Sequence, residues 1–181
     1  YRGKQLEGTN PMLLTHERVE VLNRIPRYIG WTTRPYSVLE HSVIGAKLTP
    51  NRTLQKAFLL HDMEESAFGD IISPVKRKYM PEAYFMDVEA WVRNLAAETS
   101  VPYSAIDGEQ VHFFDRVMLA AEKSTIYAGL NRMTGEPTMV LEAEIPTGGY
   151  ALCDWAKQVI KSEAYAGDNA INAFWQMWSG Q

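Results

Sequence analysis

The stretch LQKAFLLHDMEESAF, residues 54–68, decides the fold and contains a conspicuous pair of ionisable residues. Its apolar residues recur at the spacing of an amphipathic helix, and Gly69 follows as a C-terminal cap. We therefore predict one helix from about Asn51 to Phe68. In its middle, His61 and Asp62 stand side by side directly after three apolar residues. Burying both groups without partners is costly, so they either form a satisfied structural pair or bind a metal.

Helical periodicity continues on both sides of this stretch, whereas alternating strand patterns are scarce. The sequence predicts an all-α fold, a compact helical bundle. Ser37 and Glu40 have the spacing of a capping box, which marks the start of a helix. Glycine and proline predict irregular segments at 28–35 and 131–149, and a turn at Ser73-Pro74. The predicted helices cover about 15–23, 37–48, 51–68, 81–99, 109–130, 150–162 and 168–178.

Length and composition narrow the class of protein. A chain of 181 residues, 46% of them hydrophobic, predicts a single domain over 1–181. The net charge of -4 leaves no excess of Lys and Arg, which disfavours stable nucleic-acid binding. The lone cysteine, Cys153, suits a reducing cytoplasm. No apolar run is long enough to cross a bilayer, and residues 1–10 do not resemble a secretory signal, so we expect a soluble cytoplasmic protein without a membrane partner.

Two further ionisable residues strengthen the metal interpretation of the doublet. His41 lies on the preceding predicted helix, and antiparallel packing of the two helices could bring it to His61. Asp115 lies inside the apolar helix that contains Phe113 and Phe114, where its charge needs compensation. Two imidazoles and two carboxylates from three helices would suit Zn²⁺, Mn²⁺, Co²⁺ or Fe²⁺.

Three blocks of the sequence resemble a known superfamily. The order His41, His61-Asp62, Asp115 is similar to the ligand signature of HD-domain phosphohydrolases. The blocks RPYSVLEHS (34–42), LLHDMEESAFGDIISPVKR (59–77) and FFDRVMLAAE (113–122) resemble those of small HD hydrolases, which include bacterial 5'-deoxynucleotidases and phage dATP triphosphohydrolases. The resemblance covers about residues 24–125. It implies an HD-type helical fold, phosphoester or phosphoanhydride hydrolysis, and one bound divalent cation.

Two acidic residues after the doublet are candidates for catalysis. Glu65 follows Asp62 by three residues and would share its face on a helix, so we predict that Glu65 is the general base. On the same ideal helix Glu64 points about a hundred degrees away, which predicts a solvent-facing or salt-bridging residue. Asp70 matches a recurring acidic position of the related nucleotidases and is predicted to assist catalysis. Its alternative role is a turn residue that binds local backbone amides.

Basic and aromatic residues near the predicted ligands are candidates for substrate binding. The resemblance implies that Arg27 contacts the substrate, and Lys76 in the SPVK turn is a second candidate phosphate ligand. Trp31 could stack on a base and Ile29 could exclude a ribose 2'-hydroxyl, whereas the alternative places Trp31 in the core. His112 either faces the site or is a structural or surface histidine.

For the function, we rank deoxynucleoside triphosphate hydrolysis with dATP first, ahead of 5'-deoxynucleotidase action on monophosphates or a non-catalytic HD binding module. The expected cofactor is one divalent transition metal, Zn²⁺, Co²⁺ or Mn²⁺, with Mg²⁺ accompanying the substrate phosphates. The last helix is apolar around much of its circumference, so it packs against the core or against another subunit, and we expect a homo-oligomer. If the protein is phage-encoded, its location is the host cytoplasm.

Overall fold

The computed structural model describes residues 13–71, 73–127, 130–131, 136–137 and 145–181. Within these ranges the regular structure is almost entirely helical, which confirms the predicted all-α fold class. The predictions made for residues 1–10, and for most of the connection 131–149, lie outside the described residues. No helix in the described ranges is long and apolar enough to cross a membrane.

The elements follow one another along the chain in a simple order. A short 3-10 segment at Arg27–Gly30 lies between the first two helices, and a two-residue antiparallel pair joins β1 (Leu130–Asn131) to β2 (Glu136–Pro137). The α-helices are α1 (His16–Arg24), α2 (Val38–Leu48), α3 (Arg52–Leu60), α4 (Glu65–Phe68), α5 (Ser73–Tyr79), α6 (Glu82–Thr99), α7 (Tyr103–Ile106), α8 (Glu109–Thr125), α9 (Tyr150–Ser162) and α10 (Asp168–Ser179).

Helix α2 lies at the centre of the fold. Every one of its residues except Lys47 is buried, because its sequence is apolar or small on nearly all faces. It packs against α1, α3, α8, α9 and α10. A side chain at Gly45 would overlap the Phe58 ring on α3, so this glycine allows the two helices to approach closely. The packing holds His41 of α2 beside both α3 and α8.

The capping box predicted for α2 forms only in part. The Ser37 side chain accepts a hydrogen bond from the Glu40 amide at 3.0 Å, as expected. The Glu40 carboxylate, however, binds the Arg34 guanidinium at 2.6 and 3.0 Å. Arg34 also donates to the Ile160 carbonyl on α9 and so joins the start of α2 to the end of α9.

The helix predicted over 51–68 is interrupted at the doublet. α3 ends at Leu60, a turn covers 61–64, and α4 begins at Glu65. His61 Nδ1 lies 2.6 Å from the Phe58 carbonyl oxygen, the acceptor that a continuous helix would offer to the Asp62 amide. The following amides bond three residues back, as in Met63 N to Leu60 O at 3.1 Å. The turn keeps right-handed helical angles at His61 and Glu64 but is wound more tightly than the α-helix from which the directions of Glu64 and Glu65 were predicted.

Other element bounds also differ from the prediction. α8 ends at Thr125 and not near Leu130, because the amides of Ile126 and Tyr127 both bond to the Glu122 carbonyl. The expected turn at Ser73-Pro74 is the first turn of α5, where proline is well tolerated. The two terminal helices occupy the predicted ranges.

The buried apolar residues form one continuous cluster that runs from Leu13 to Met177. Helix α10 contributes Phe174 and Met177 to this cluster and packs against α1, α2 and α3. Of the two placements expected for the last helix, the structure shows packing against the core.

Candidate metal centre

Four side chains from α2, the 61–64 turn and α8 converge at the centre of the fold. The two imidazole Nε2 atoms of His41 and His61 are 3.4 Å apart. Asp62 Oδ2 lies 3.2 Å from His61 Nε2 and 3.7 Å from His41 Nε2. Asp115 Oδ1 lies 3.3 Å from His41 Nε2 and 4.0 Å from His61 Nε2. These are the four residues that the sequence singled out.

These separations fit the ligand shell of a small divalent ion. Bonds of about 2.0–2.2 Å in tetrahedral geometry place neighbouring ligand atoms about 3.3–3.6 Å apart. His41, His61 and Asp62 form a group that could hold a metal ion, since their ligand atoms all lie within 4.8 Å of one another. Asp115 is not a member of that group, but its Oδ1 lies 3.3 Å from His41 Nε2, and its side chain is 39% exposed. A set of two nitrogens and carboxylate oxygens favours a transition metal such as Zn²⁺, Co²⁺ or Mn²⁺.

Hydrogen bonds determine which nitrogen each imidazole presents. A carbonyl oxygen only accepts, so His61 donates its Nδ1–H to the Phe58 carbonyl at 2.6 Å. His41 Nδ1 lies 2.6 Å from Glu122 Oε1 and donates in the same way to a carboxylate. When each ring is neutral, as metal binding requires, its lone pair is therefore on Nε2, which faces the other ligands.

Glu122 is a functional residue that the sequence reasoning missed. Its side chain is fully buried on α8. Oε1 accepts from His41 Nδ1 and from the Tyr36 hydroxyl at 2.9 Å, and Oε2 accepts from the Tyr28 hydroxyl at 2.7 Å and from Arg27 Nε at 3.2 Å. Four donors thus satisfy the Glu122 carboxylate. It orients His41 through Nδ1, the ring nitrogen that does not face the other candidate ligands. The sequence signal was its position two turns after Asp115, on the same face of an apolar helix.

The chain before α2 adopts an unusual conformation to reach this carboxylate. Tyr28 and Ile29 have φ values of 56° and 55°, in the left-handed region that a β-branched residue such as isoleucine rarely adopts. The segment directs the Tyr28 hydroxyl and the Arg27 guanidinium to Glu122. Arg27 Nη1 also lies 3.3 Å from Asp62 Oδ2, so this arginine bridges the buried carboxylate and a candidate ligand.

The charges around the site favour a bound cation. Burial and Arg27 both disfavour protonation of His41, yet Glu122 and Asp115 raise the pKa of this imidazole to about 9. Burial disfavours ionisation of Asp62, but the neighbouring His61, together with His41 and Arg27, holds its pKa well below the usual value. The site therefore attracts positive charge, and metal binding would displace the proton that His41 otherwise carries.

Glu64 and Glu65 both lie beside Asp62. The ligand oxygens of these three residues lie within 4.8 Å of one another, and both glutamates are buried. The prediction that Glu64 faces solvent is wrong, because Glu64 is 8% exposed. His61 and Glu64 keep right-handed helical angles, but the amides around them bond three residues back, a tighter winding in which residues three apart lie on one side. Burial raises the pKa of Glu64 and of Glu65, and the Asp62 charge raises both further.

Lys76 and Asp70, two further residues predicted to bind phosphate or assist catalysis, lie near the carboxylates of Asp62 and Glu65. Lys76 Nζ lies 3.8 Å from Glu65 Oε1, on α5 and not in a turn. Asp70 is half-buried, and its pKa is raised mainly by burial, against the opposing influence of Arg27. Asp70 is thus close enough to Asp62, Arg27 and Lys76 for their charges to change its pKa.

A pocket of about 400 Å³ opens onto the candidate ligands. Its lining includes the candidate ligands His61, Asp62 and Asp115. The other lining residues are partly apolar and partly charged or polar: Phe85, Val88, Val92, Ile106, Glu64, Glu89, Tyr103, Asp107 and His112. His112 lies on its wall and pairs with Asp107 at 3.1 Å. His112 is thus a half-exposed residue at the mouth of the pocket.

The predicted base-stacking residues lie at the surface. Ile29 is 64% exposed and Trp31 is 49% exposed, so Trp31 is not a core residue. Both follow Arg27 directly in the chain, and the backbone bond from Trp31 N to Tyr28 O closes the segment. Their contact with a substrate stays a prediction.

The chain matches no family model and no curated protein in comparisons with known sequences. The HD resemblance therefore stays a prediction that depends on the three motif blocks.

Replacement of Glu122 by glutamine should weaken metal binding about 10–100-fold, the usual cost of losing a carboxylate that orients a ligating histidine. The amide keeps the size of the side chain but turns an N–H₂ group towards donors that need an acceptor. Metal affinity can be measured by competition with a chromogenic chelator. Glu109→Gln, an exposed change on the same helix, is the matched control and should bind normally. Equal affinities in the two variants would remove Glu122 from the metal centre.

Proposed function

We propose that this protein is a metal-dependent phosphohydrolase that acts on deoxynucleotides. One divalent transition metal, Zn²⁺, Co²⁺ or Mn²⁺, would be held by His41, His61, Asp62 and Asp115. The observation that carries the proposal is the pair of imidazoles whose Nδ1 atoms are occupied and whose Nε2 atoms face carboxylate oxygens at 3.2–4.0 Å. This is the arrangement expected of metal-ligating histidines with partners that orient them.

The residues around the ligands suit phosphoryl transfer to water. A divalent cation at this position supplies Lewis acidity towards water and towards a phosphoryl oxygen. Glu65 lies beside Asp62 and is proposed to accept a proton from the attacking water. Burial and the neighbouring Asp62 charge raise the pKa of this carboxyl to about 10, and a divalent cation beside Asp62 would lower that pKa so that the ionised, basic form is present. Asp70, which is half-buried nearby, is proposed to return a proton to the leaving oxygen.

Two cations are proposed to bind the substrate phosphates. Lys76 lies next to Glu65, and its side chain is 25% exposed, so it can reach an incoming anion. Arg27 uses Nε and Nη1 on two carboxylates, and a guanidinium has further N–H donors for a phosphate. Mg²⁺ is proposed to accompany the phosphates of the substrate.

The pocket beside His61, Asp62 and Asp115 gives a substrate direct access to the ligands. Its volume of about 400 Å³ is within the range of small-molecule sites. Trp31 and Ile29, on the exposed segment after Arg27, are proposed to contact the base and the sugar. Among deoxynucleotides we place dATP first, because the motif blocks resemble those of the compact triphosphohydrolases.

The location and assembly of the protein are further parts of the proposal. The single, buried Cys153 suits a reducing compartment, and we propose the cytoplasm. Trp175 and Trp178 of α10 are only partly buried against the core, so we propose a homo-oligomer that covers them.

The test is a substrate panel with defined metal content. The purified protein should retain close to one equivalent of transition metal and should release phosphate or polyphosphate from dATP faster than from ATP, dAMP or p-nitrophenyl phosphate. Chelation should abolish turnover, and added Co²⁺ or Mn²⁺ should restore it. Release of phosphate from dAMP but not from dATP would favour a 5'-deoxynucleotidase. A protein that binds metal without turning over any of these compounds would contradict the enzyme proposal.

A further inference from the structure

The chain between α1 and α2 is anchored on both sides of a short segment, residues 28–31, that carries two exposed apolar side chains. The Arg27 amide donates to the Tyr36 carbonyl at 3.0 Å, and the Thr33 amide donates at 2.7 Å to the carbonyl of the residue that follows α8. Between these anchors Ile29 and Trp31 are 64% and 49% exposed. Burial of these two side chains therefore does not account for the conformation of the segment.

The backbone of the 28–31 segment is strained at two consecutive residues. Tyr28 and Ile29 have φ values of 56° and 55°, in the left-handed region. This conformation is unfavourable for residues with a side chain, and especially for a β-branched isoleucine. Such strain persists only where contacts with the surrounding structure hold the backbone in place. The conformation of the segment must therefore depend on the contacts that its anchored side makes.

Tyr28 connects the strained backbone to the candidate metal centre. Its hydroxyl donates to Glu122 Oε2 at 2.7 Å, and its ring packs against Tyr127 with the ring centroids 5.0 Å apart. The other oxygen of the same carboxylate accepts from His41 Nδ1 at 2.6 Å. A single buried carboxylate thus lies between the 28–31 segment and a candidate metal ligand.

Arg27 makes a second connection between the segment and the centre. Its Nε lies 3.2 Å from Glu122 Oε2, and its Nη1 lies 3.3 Å from Asp62 Oδ2. His41 and Asp62 would each lose rotational freedom on ligating a metal, and both connections end on these two side chains. The strained conformation of the 28–31 segment should therefore be more stable in the metal-bound protein.

We infer that Tyr28 is a positioning residue that couples the 28–31 segment to the metal centre through Glu122. Occupancy of the metal site and order of the segment then depend on each other, and thermodynamic linkage requires the two effects to be of the same size. A substrate that contacts Ile29 and Trp31 would bind best after the metal, because the metal stabilises the segment that carries them. The inference rests on the metal site of the proposed function and does not require a nucleotide.

The test is hydrogen exchange of the Trp31 amide, which donates to the Tyr28 carbonyl at 3.0 Å and closes the segment. Exchange is followed by NMR in protein with and without one bound equivalent of Zn²⁺. Zn²⁺ should slow the exchange of this amide about tenfold, the lower end of the effect of partners that orient a ligating histidine. Tyr28→Phe, which removes only the hydroxyl, should abolish most of this slowing and weaken Zn²⁺ binding by a similar factor.

Tyr36→Phe is the matched control for this variant. The Tyr36 hydroxyl donates to the same carboxylate at 2.9 Å, but Tyr36 is buried in the core and lies outside the 28–31 segment. Both variants lose one hydrogen bond to Glu122, so a general loss of stability or of metal affinity would affect them alike. Only Tyr28→Phe should lose the effect of Zn²⁺ on exchange of the Trp31 amide.

Two results would overturn the inference and leave the metal site of the proposed function intact. The first is a Trp31 amide whose exchange does not change when the wild-type protein binds Zn²⁺, a measurement that needs no variant. The second is an equal effect of Zn²⁺ on this amide in Tyr28→Phe and Tyr36→Phe. A protein that binds no Zn²⁺ would instead contradict the proposed function and the inference together.

Discussion

Replacement of Asp62 by asparagine should remove the tightly bound transition metal and lower the rate of nucleotide hydrolysis about a thousandfold or more. Asp62 Oδ2 is the nearest carboxylate oxygen to His61 Nε2 and also faces His41 and Arg27. Asparagine keeps the shape but removes the charge, and its amide offers a weaker ligand. A metal-assisted step supplies several kcal/mol of transition-state stabilisation, and each 1.4 kcal/mol is about tenfold in rate.

The measurement is metal content after desalting, together with turnover of dATP. Asp107→Asn is the matched control, because this carboxylate lines the same pocket but pairs with the half-exposed His112 and the Tyr103 hydroxyl and not with a candidate ligand. It should keep both the metal and at least a third of the activity. An Asp62→Asn protein that retains one equivalent of metal and full turnover would contradict the ligand set on which the proposed function depends.

The sequence was sufficient to predict the all-α class, most of the long helices and the four side chains that meet at the centre, but not α5, α7 or the break between α3 and α4. His41, the doublet and Asp115 were recognisable because each places an ionisable group inside an otherwise apolar helix, where burial demands a partner. The periodicity of the helices then fixed which faces could meet. Convergence of these four side chains is a feature of the structure, while their action as metal ligands stays a prediction.

The parts that sequence reasoning missed depend on contacts between distant segments. Glu122 looks like one more helical glutamate until Tyr28, Tyr36 and Arg27 are seen to converge on it, and those residues come from an irregular segment about 90 residues earlier in the chain. No local pattern encodes that approach. The network shows why the segment before α2 tolerates a left-handed isoleucine, since the tertiary hydrogen bonds hold the backbone there.

The direction of Glu64 was mispredicted for a local reason. An ideal α-helix places Glu64 away from Asp62, but the amides after Leu60 bond three residues back, and in this tighter turn Glu64 is buried beside Asp62. A helical wheel assumes the α-helical rotation of about 100° per residue, so it does not predict side-chain directions in this tighter turn.

Replacement of Glu65 by glutamine should lower turnover about 10²–10⁴-fold while the transition metal stays bound at one equivalent. This range is the usual contribution of a positioned general base, and glutamine keeps the hydrogen-bonding shape while losing proton affinity. Glu65 is not a member of the histidine-containing ligand group, so the first metal should not depend on it. The measurement is the single-turnover rate with saturating dATP, combined with metal analysis of the same sample.

Glu64→Gln is the decisive comparison for this role, because the two neighbouring glutamates are similarly buried and both belong to the carboxylate group around Asp62. Loss of negative charge alone would affect both variants alike. Proton transfer requires the particular carboxylate that reaches the attacking water, so the rate of Glu65→Gln should fall at least tenfold below that of Glu64→Gln. Equal rates in the two variants would show that Glu65 acts only through its charge, and the attacking water would then need another base.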